Sequence, residues 1–179
     1  MRTKAFNEEV LYPDECVVRV SADDVDQWKT IAHSNARRRI RLCAHPDTTS
    51  LLHEMIIVHE RGTYVPPHKH FNRSESIHII EGQADVILFD DNGSIRDVIA
   101  MGPYGSNRVF FYRISEPVFH TLLIHSRVLV FHETTQGPLQ RDSTVFAAWA
   151  PRKEDLKGVR RFMKKFSDVT ASSSEARHG

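Results

Sequence analysis

Cysteine is scarce in this sequence. Only Cys16 and Cys43 occur in 179 residues. Two such residues cannot build a disulfide-stapled scaffold, and they read as reduced thiols of a cytoplasmic chain. Charge of one sign is also lacking. Lys+Arg number 24 against Asp+Glu 23, a formal net charge of +1, which argues against a nucleic-acid binder, because that role needs a basic surface. No apolar run approaches the roughly 20 residues that cross a bilayer. The segment Met1 to Glu9 turns acidic where a secretion signal would be apolar, so a cytoplasmic location is expected. No nucleophile elbow, phosphate loop or dinucleotide fingerprint is present, which removes serine hydrolase, P-loop kinase and Rossmann dehydrogenase readings. The remaining composition, 40% hydrophobic and 26% charged, is that of an ordinary single globular domain.

Three zones are expected: an extension with one helix over 1–35, a barrel over 36–150, and a basic helix with a polar tail over 151–179. In the first zone, Cys16 to Val20 reads as a short strand. Ser21-Ala22-Asp23-Asp24 then reads as a helix start, with a capping oxygen and acids in the first turn. Val25, Trp28, Ile31 and Ala32 follow at helical spacing, and Asn35 fits the helix end.

From Arg39 the period shortens. Leu51–Val58, Ile77–Ile80, Ala84–Phe89, Ile95–Met101, Arg108–Ile114, Val118–Ile124 and Val128–His132 are short apolar or alternating runs, separated by turn residues. Asp91-Asn92-Gly93 is a hairpin signal. Many short strands without intervening helices predict an all-β sandwich or small barrel. After Pro151, Leu156, Val159, Met163 and Phe166 recur at helical spacing among seven Lys and Arg residues between Arg152 and Lys165. This predicts a surface helix with a solvated basic face. Ser167 to Gly179 reads as a disordered tail.

Histidine is what the sequence has in abundance. Nine of the 11 lie between His45 and His132. His68 and His70 are two apart, so a strand would present both rings on one face. Phe71 to Ser74 form a turn-like link to Glu75, which opens the next strand. Two imidazoles and a carboxylate inside a barrel need a cation or some other strong satisfaction, and His120, flanked by apolar residues, is the expected third imidazole. Mixed N and O ligands suit a borderline divalent metal such as Fe, Mn, Ni, Co or Zn, with about two positions left open. His78, three residues after Glu75, falls on the opposite face. His45, His53, His59, His125 and His132 read as satisfied core or surface residues rather than ligands; the alternative for His132-Glu133 is a place on the rim. His53-Glu54 lacks the second His of a zincin helix.

Gly62-x5-His68-x-His70-x4-Glu75-x6-Gly82 resembles the first cupin motif at every fixed position. The second motif is matched loosely around His120, with Pro117 where the family has Gly and Ile124 where it has Asn. The resemblance implies an all-β fold, a single cupin (jelly-roll) barrel, with a short N-terminal helix and a C-terminal basic helix. Further segments, Arg39-Ile-Arg-Leu-Cys-Ala-His45, His53-Glu-Met-Ile, Pro67-His-Lys-His, Leu88-Phe-Asp-Asp-Asn-Gly and His132-Glu-Thr-Thr-Gln-Gly-Pro138, look like the WbuC family of cupin-fold metalloproteins. That likeness runs roughly from Val10 to Pro151. It implies a cytosolic bacterial protein associated with O-antigen polysaccharide gene clusters, and it supplies no established reaction.

The leading expectation is therefore a metal-dependent enzyme acting on a small polar molecule, a sugar or nucleotide-sugar of surface-polysaccharide synthesis. The alternatives are an Fe(II)-dependent dioxygenase and a non-catalytic binding or sensing module. A homodimer would suit a barrel of this type. Arg37-Arg38-Arg39 and Arg41 read first as a solvated or edge segment. The alternative is that one of Arg39 and Arg41 faces the barrel mouth and binds a carboxylate or phosphate. Tyr64 and Tyr112 are further candidate substrate-binding residues.

Overall fold

The computed structural model of the protein describes residues 1–175. Its strands are β1 (Thr3–Asn7), β2 (Val10–Pro13), β3 (Arg39–Cys43), β4 (Leu52–Glu60), β5 (His68–His70), β6 (Glu75–Glu81), β7 (Ala84–Phe89), β8 (Ile95–Met101), β9 (Phe111–Ile114), β10 (Phe119–Ile124), β11 (Val128–Gln136) and β12 (Thr144–Phe146). Its helices are α1 (Ala22–Ser34) and α2 (Leu156–Glu175). The strands form two sheets, in the orders β1-β2-β3-β4-β11-β6-β9 and β12-β5-β10-β7-β8.

Period-two alternation explains how the sheets face each other. On the larger sheet Met55, Ile57, Ile77, Ile79 and Phe131 point inward. On the smaller sheet Ala84, Val86, Leu122 and Ile124 meet them, and all nine belong to one buried cluster. The intervening residues point outward, and each outer face carries a helix. Ile40, Leu42, Val58 and Val130 receive Trp28 and Ala32 of α1. Ile87, Phe89, Phe119 and Leu123 receive Phe162, Met163 and Phe166 of α2. The result is a jelly-roll barrel of the cupin type with one helix against each sheet.

Local chemistry fixes the elements. Ser21 caps α1 by accepting from the Asp24 amide, and Asp24 returns the bond to the Ser21 backbone, a reciprocal box that satisfies two helix-end donors. Asp24 also takes an ion pair from the Met1 amino group. The hairpin between β7 and β8 turns at Gly93, whose φ of +85° suits glycine.

Four expectations change. Cys16 to Val20 is not a strand. β1 and β2 lie earlier instead, because β2 finds a parallel partner in β3 (Val10 opposite Arg41) across the α1 crossover, whereas the mostly exposed 16–20 segment meets no strand. Ile31 stays 38% exposed, beyond the strip of α1 covered by the sheet. Arg39 and Arg41 do not lie on an edge, since β3 sits between β2 and β4. The segment read as a disordered tail continues α2 to Glu175, since residues join a helix at little cost once its first turns are docked. Residues 176–179 of that segment lie outside the described residues.

Candidate metal centre

Strand pairing brings the two halves of the site together. His120 on β10 lies directly opposite His68 on β5. Across β5, Thr144 of β12 lies opposite His70. Glu75 opens β6 after the short 71–74 link. One ligand atom each from His68, His70, Glu75 and His120 lies within 4.8 Å of the other three. His70 Nε2 is 3.1 Å from Glu75 Oε2, and His120 Nε2 is 3.4 Å from Glu75 Oε1.

Each ring is oriented from behind. His68 Nδ1 donates to the Pro66 carbonyl at 2.9 Å, and His120 Nδ1 donates to the Val118 carbonyl at 2.9 Å. His70 Nδ1 is 2.9 Å from Thr144 Oγ1. With the outer nitrogens held, His68 and His120 present unprotonated Nε2 lone pairs to the cluster, the arrangement that outer hydrogen bonds impose on metal-binding histidines. His120 Nε2 is buried without a hydrogen-bond partner. A buried nitrogen lone pair left so would be costly, and a cation satisfies it.

The electrostatics agree. Burial lowers the His68 pKa to about 3, with the neighbouring His120 adding to the effect, so the ring is neutral and able to ligate. Burial opposes ionisation of Glu75, but the His120 and His70 rings beside it outweigh the burial and hold the carboxyl well below its usual range. A neutral imidazole at His68, the further rings of His70 and His120, and an ionised carboxylate fit a divalent ion of the borderline class, whose identity the donor set leaves open.

The cluster opens onto a cavity of about 950 Å³ that extends toward the start of α2 at Leu156. Arg39, Arg41, Tyr64 and Tyr112 all line it. Both arginines share the inward face of β3, because Ile40 and Leu42 between them face α1. Arg39 donates to Glu9 at 2.8 Å. Tyr64 donates to the Pro151 carbonyl at 2.9 Å, and burial pushes its phenol up to about 12. Tyr112 is buried with its hydroxyl unpartnered, its pKa raised by burial and then by Glu75. His78 is exposed on the opposite face, edge-on to Phe110.

Arg73, which the sequence did not single out, also reaches the cavity, as do His53, His59 and Glu133. His53 Nε2 and His59 Nδ1 are buried without partners, so these rings are not the satisfied histidines expected. Burial, followed by the Glu75 carboxylate, raises Glu133 to about 8. Alternation along β11 carried the signal: Phe131 is a core residue, so Glu133 and Thr135 must share its inward face. The register then places Thr135 opposite both Glu75 and His53.

Residues 20–101 match a family model described as a domain of unknown function (DUF6016). No curated protein matches the sequence. Among solved structures, a protein from Shewanella oneidensis is similar over 72% of this chain and 85% of its own, at 8% identity and a TM-score of 0.53. That likeness concerns the fold. Smaller overlaps occur with the oxalate decarboxylase of Lactobacillus farciminis (17% identity, 54% of this chain, TM-score 0.43). The capsular polysaccharide assembling protein CapF of Staphylococcus aureus is a third (13%, 55%, 0.45). The chain spans 27% of the length of each of these two proteins. These likenesses concern the fold, and what fits a divalent metal is the cluster of His68, His70, Glu75 and His120 itself.

Proposed function

We propose that this protein is a WbuC-type cupin enzyme that uses its divalent metal to transform a small polar molecule, a sugar or nucleotide-sugar of surface-polysaccharide synthesis. The observation that carries the enzymatic part is the position of the cluster. Four ligands from β5, β6 and β10 face a cavity of about 950 Å³, within the range of small-molecule sites, whereas a purely structural ion is closed in by its ligands. When bound, the ion would supply Lewis acidity toward a carbonyl or hydroxyl, or an acidified water.

The chain's own residues would do the rest. His68, His70 and His120 hold their rings fixed through Pro66, Thr144 and Val118. Glu133, near Glu75 and partly exposed to the cavity, adds a carboxyl to the wall beside the cluster. The sugar class is supported by the WbuC resemblance alone.

The test is a thermal-shift screen of metal-loaded protein against sugar phosphates and nucleotide-sugars, followed by mass spectrometry of the incubated ligand. A stabilising compound that is converted supports the reading. A panel that leaves the melting temperature unchanged contradicts it. A ligand recovered intact after long incubation would make the protein a binding module.

A further inference from the structure

The cavity has an apolar wall directly beside the metal cluster. β12 is the outermost strand of the smaller sheet, and its Thr144, Val145 and Phe146 lie opposite His70, Lys69 and His68 of β5. Thr144 Oγ1 is 2.9 Å from His70 Nδ1, so Thr144 points to the metal side. Side chains alternate along a strand, which puts Phe146 on the metal side as well. The Phe146 ring lies 6.0 Å from the His68 ring, centroid to centroid, and lines the cavity. A phenyl group on the inner side of a barrel is ordinarily covered. Phe146 is 62% exposed, because β12 is an edge strand and the cavity opens there.

Helix α2 continues this wall. Its apolar stripe is Leu156, Val159, Phe162, Met163 and Phe166, at the spacing of one helix face. Phe162, Met163 and Phe166 pack on the smaller sheet. Leu156 and Val159 belong to none of the buried clusters. They line the metal cavity instead, and Leu156 is 67% exposed. The stripe thus outruns the sheet by one turn, and that turn borders the cavity. Two bonds tie this part of the chain to the segment that presents His68. The Ala147 amide donates to the Pro67 carbonyl at 2.9 Å, and the Tyr64 hydroxyl donates to the Pro151 carbonyl at 2.9 Å. Covered apolar side chains stabilise a fold in proportion to the area removed from water. Phe146 and Leu156 contribute little in that way. Exposed apolar surface gathered inside a concave site of small-molecule size marks the place of a ligand.

We infer that Phe146, Leu156 and Val159 form an apolar subsite for the non-polar part of an amphiphilic small molecule whose oxygen atoms face His68, His70, Glu75 and His120. The inference deepens the proposed function and rests on it for the metal end. The substrate then carries a flat ring or a short chain beside the oxygens that reach the cluster. Phe146 and His68 face each other on neighbouring strands, a separation of about 5 Å. The apolar part is therefore joined closely to the metal-facing group, without a long spacer. A ring and a chain share this chemistry, and the test separates them.

Hydroxamates supply the test, because one head group that grips divalent ions through two oxygens can carry different apolar parts. Acetohydroxamate, benzohydroxamate and hexanohydroxamate are titrated calorimetrically into wild type, Phe146→Ala, Phe146→Leu, Leu156→Ala, His70→Ala and Phe111→Ala, each after metal loading. Phe111 is an exposed residue of β9 that does not line the cavity. Metal content and melting temperature are recorded on every preparation.

Benzohydroxamate or hexanohydroxamate is expected to bind wild type and Phe111→Ala at least tenfold more tightly than acetohydroxamate. The larger gain identifies a ring or a chain as the natural group. In Phe146→Ala that ratio should fall toward one, while metal content and acetohydroxamate affinity stay at the wild-type level. Leu156→Ala should lower the ratio by a smaller factor. Phe146→Leu keeps an apolar side chain and should retain part of the ratio, and it replaces Phe146→Ala if the latter melts below the assay temperature. His70→Ala should lose metal and, with it, acetohydroxamate binding. Full metal content with equal binding of all three hydroxamates to wild type overturns the subsite alone. A ratio unchanged in both Phe146 variants overturns it as well. Wild type that takes up no metal and binds no hydroxamate refutes the metal reading, and the subsite with it.

Discussion

His68 and His120 are direct partners across the β5–β10 ladder, with their ring centroids 4.4 Å apart. One backbone pairing thus joins residues 52 positions apart into a single donor set. The same strand, β5, pairs on its other side with β12, which places Thr144 behind His70. Removing a ligand and removing its support should therefore differ in severity. His70→Ala is expected to abolish stoichiometric metal and to lower the melting temperature, since bound metal stabilises only the folded state. Thr144→Val should weaken metal affinity by about 10-fold or more without abolishing it. His78→Ala should leave occupancy intact. Elemental analysis of dialysed protein reads all three.

The glycines that frame the motif should respond unequally. Gly62 and Gly82 have φ of +88° and +89°, so an alanine at either is strained by about 1 kcal/mol or more. At Gly62 an added Cβ meets nothing within 4 Å, whereas at Gly82 it would fall 2.2 Å from the Val128 carbonyl oxygen. Gly62→Ala should cost about 1 kcal/mol. Gly82→Ala should cost several times as much, because the backbone of β11 must shift. Chemical denaturation of the two variants decides it.

Much of this arrangement is legible in the sequence, and the rest is hidden for identifiable reasons. The spacing from Gly62 to Gly82 locates the motif because a strand's period is two and the 71–74 link is short. Ala84–Phe89 and Ile95–Met101 are legible to the residue because Asp91-Asn92-Gly93 specifies their turn. Glu133 and Arg73 are less visible. Their positions depend on which strands pair, and only the register of β11 with β4 and β6 brings Thr135, Glu75 and His53 into one row. β1 and β2 are similarly hidden, because they are held by long-range pairing with β3 rather than by their own pattern. The inward turn of both Arg39 and Arg41 is decided by α1, which claims Ile40 and Leu42 for the outer face.

Acid stability should report the buried His59. Its ring is packed edge-on against Phe131, and burial, with Arg39 next, lowers its pKa from 6.5 to about 3. Above about pH 6.5 the ring is neutral in both folded and unfolded chains, and its contribution is fully present. Between pH 6.5 and 3 only the unfolded chain takes up the proton, so stability falls as pH falls. Urea unfolding of chelator-treated protein at pH 7 and pH 5 should show this loss. His59→Leu should flatten the slope by up to one proton, about 1.4 kcal/mol per pH unit.

Helix α2 should be separable from metal binding. Phe166 is buried against Phe89, with ring centroids 5.4 Å apart, and against Phe162 at 4.6 Å. Phe166→Ala is expected to cost about 3–5 kcal/mol, seen as a lower denaturation midpoint and faster proteolysis of the C-terminal segment. The four-ligand cluster lies on the inner side of the barrel, so metal content should be unchanged in preparations that remain folded.

The central claim is that His68, His70, Glu75 and His120 hold one divalent ion. X-ray absorption spectroscopy of tag-free protein, purified without chelators, tests it most directly, with His70→Ala as the comparison. The account predicts one metal equivalent per chain, with imidazole nitrogen and carboxylate oxygen at about 2.0–2.2 Å, and loss of that signal in the variant. Protein free of metal after such purification, or a metal signal unchanged in His70→Ala, would contradict it.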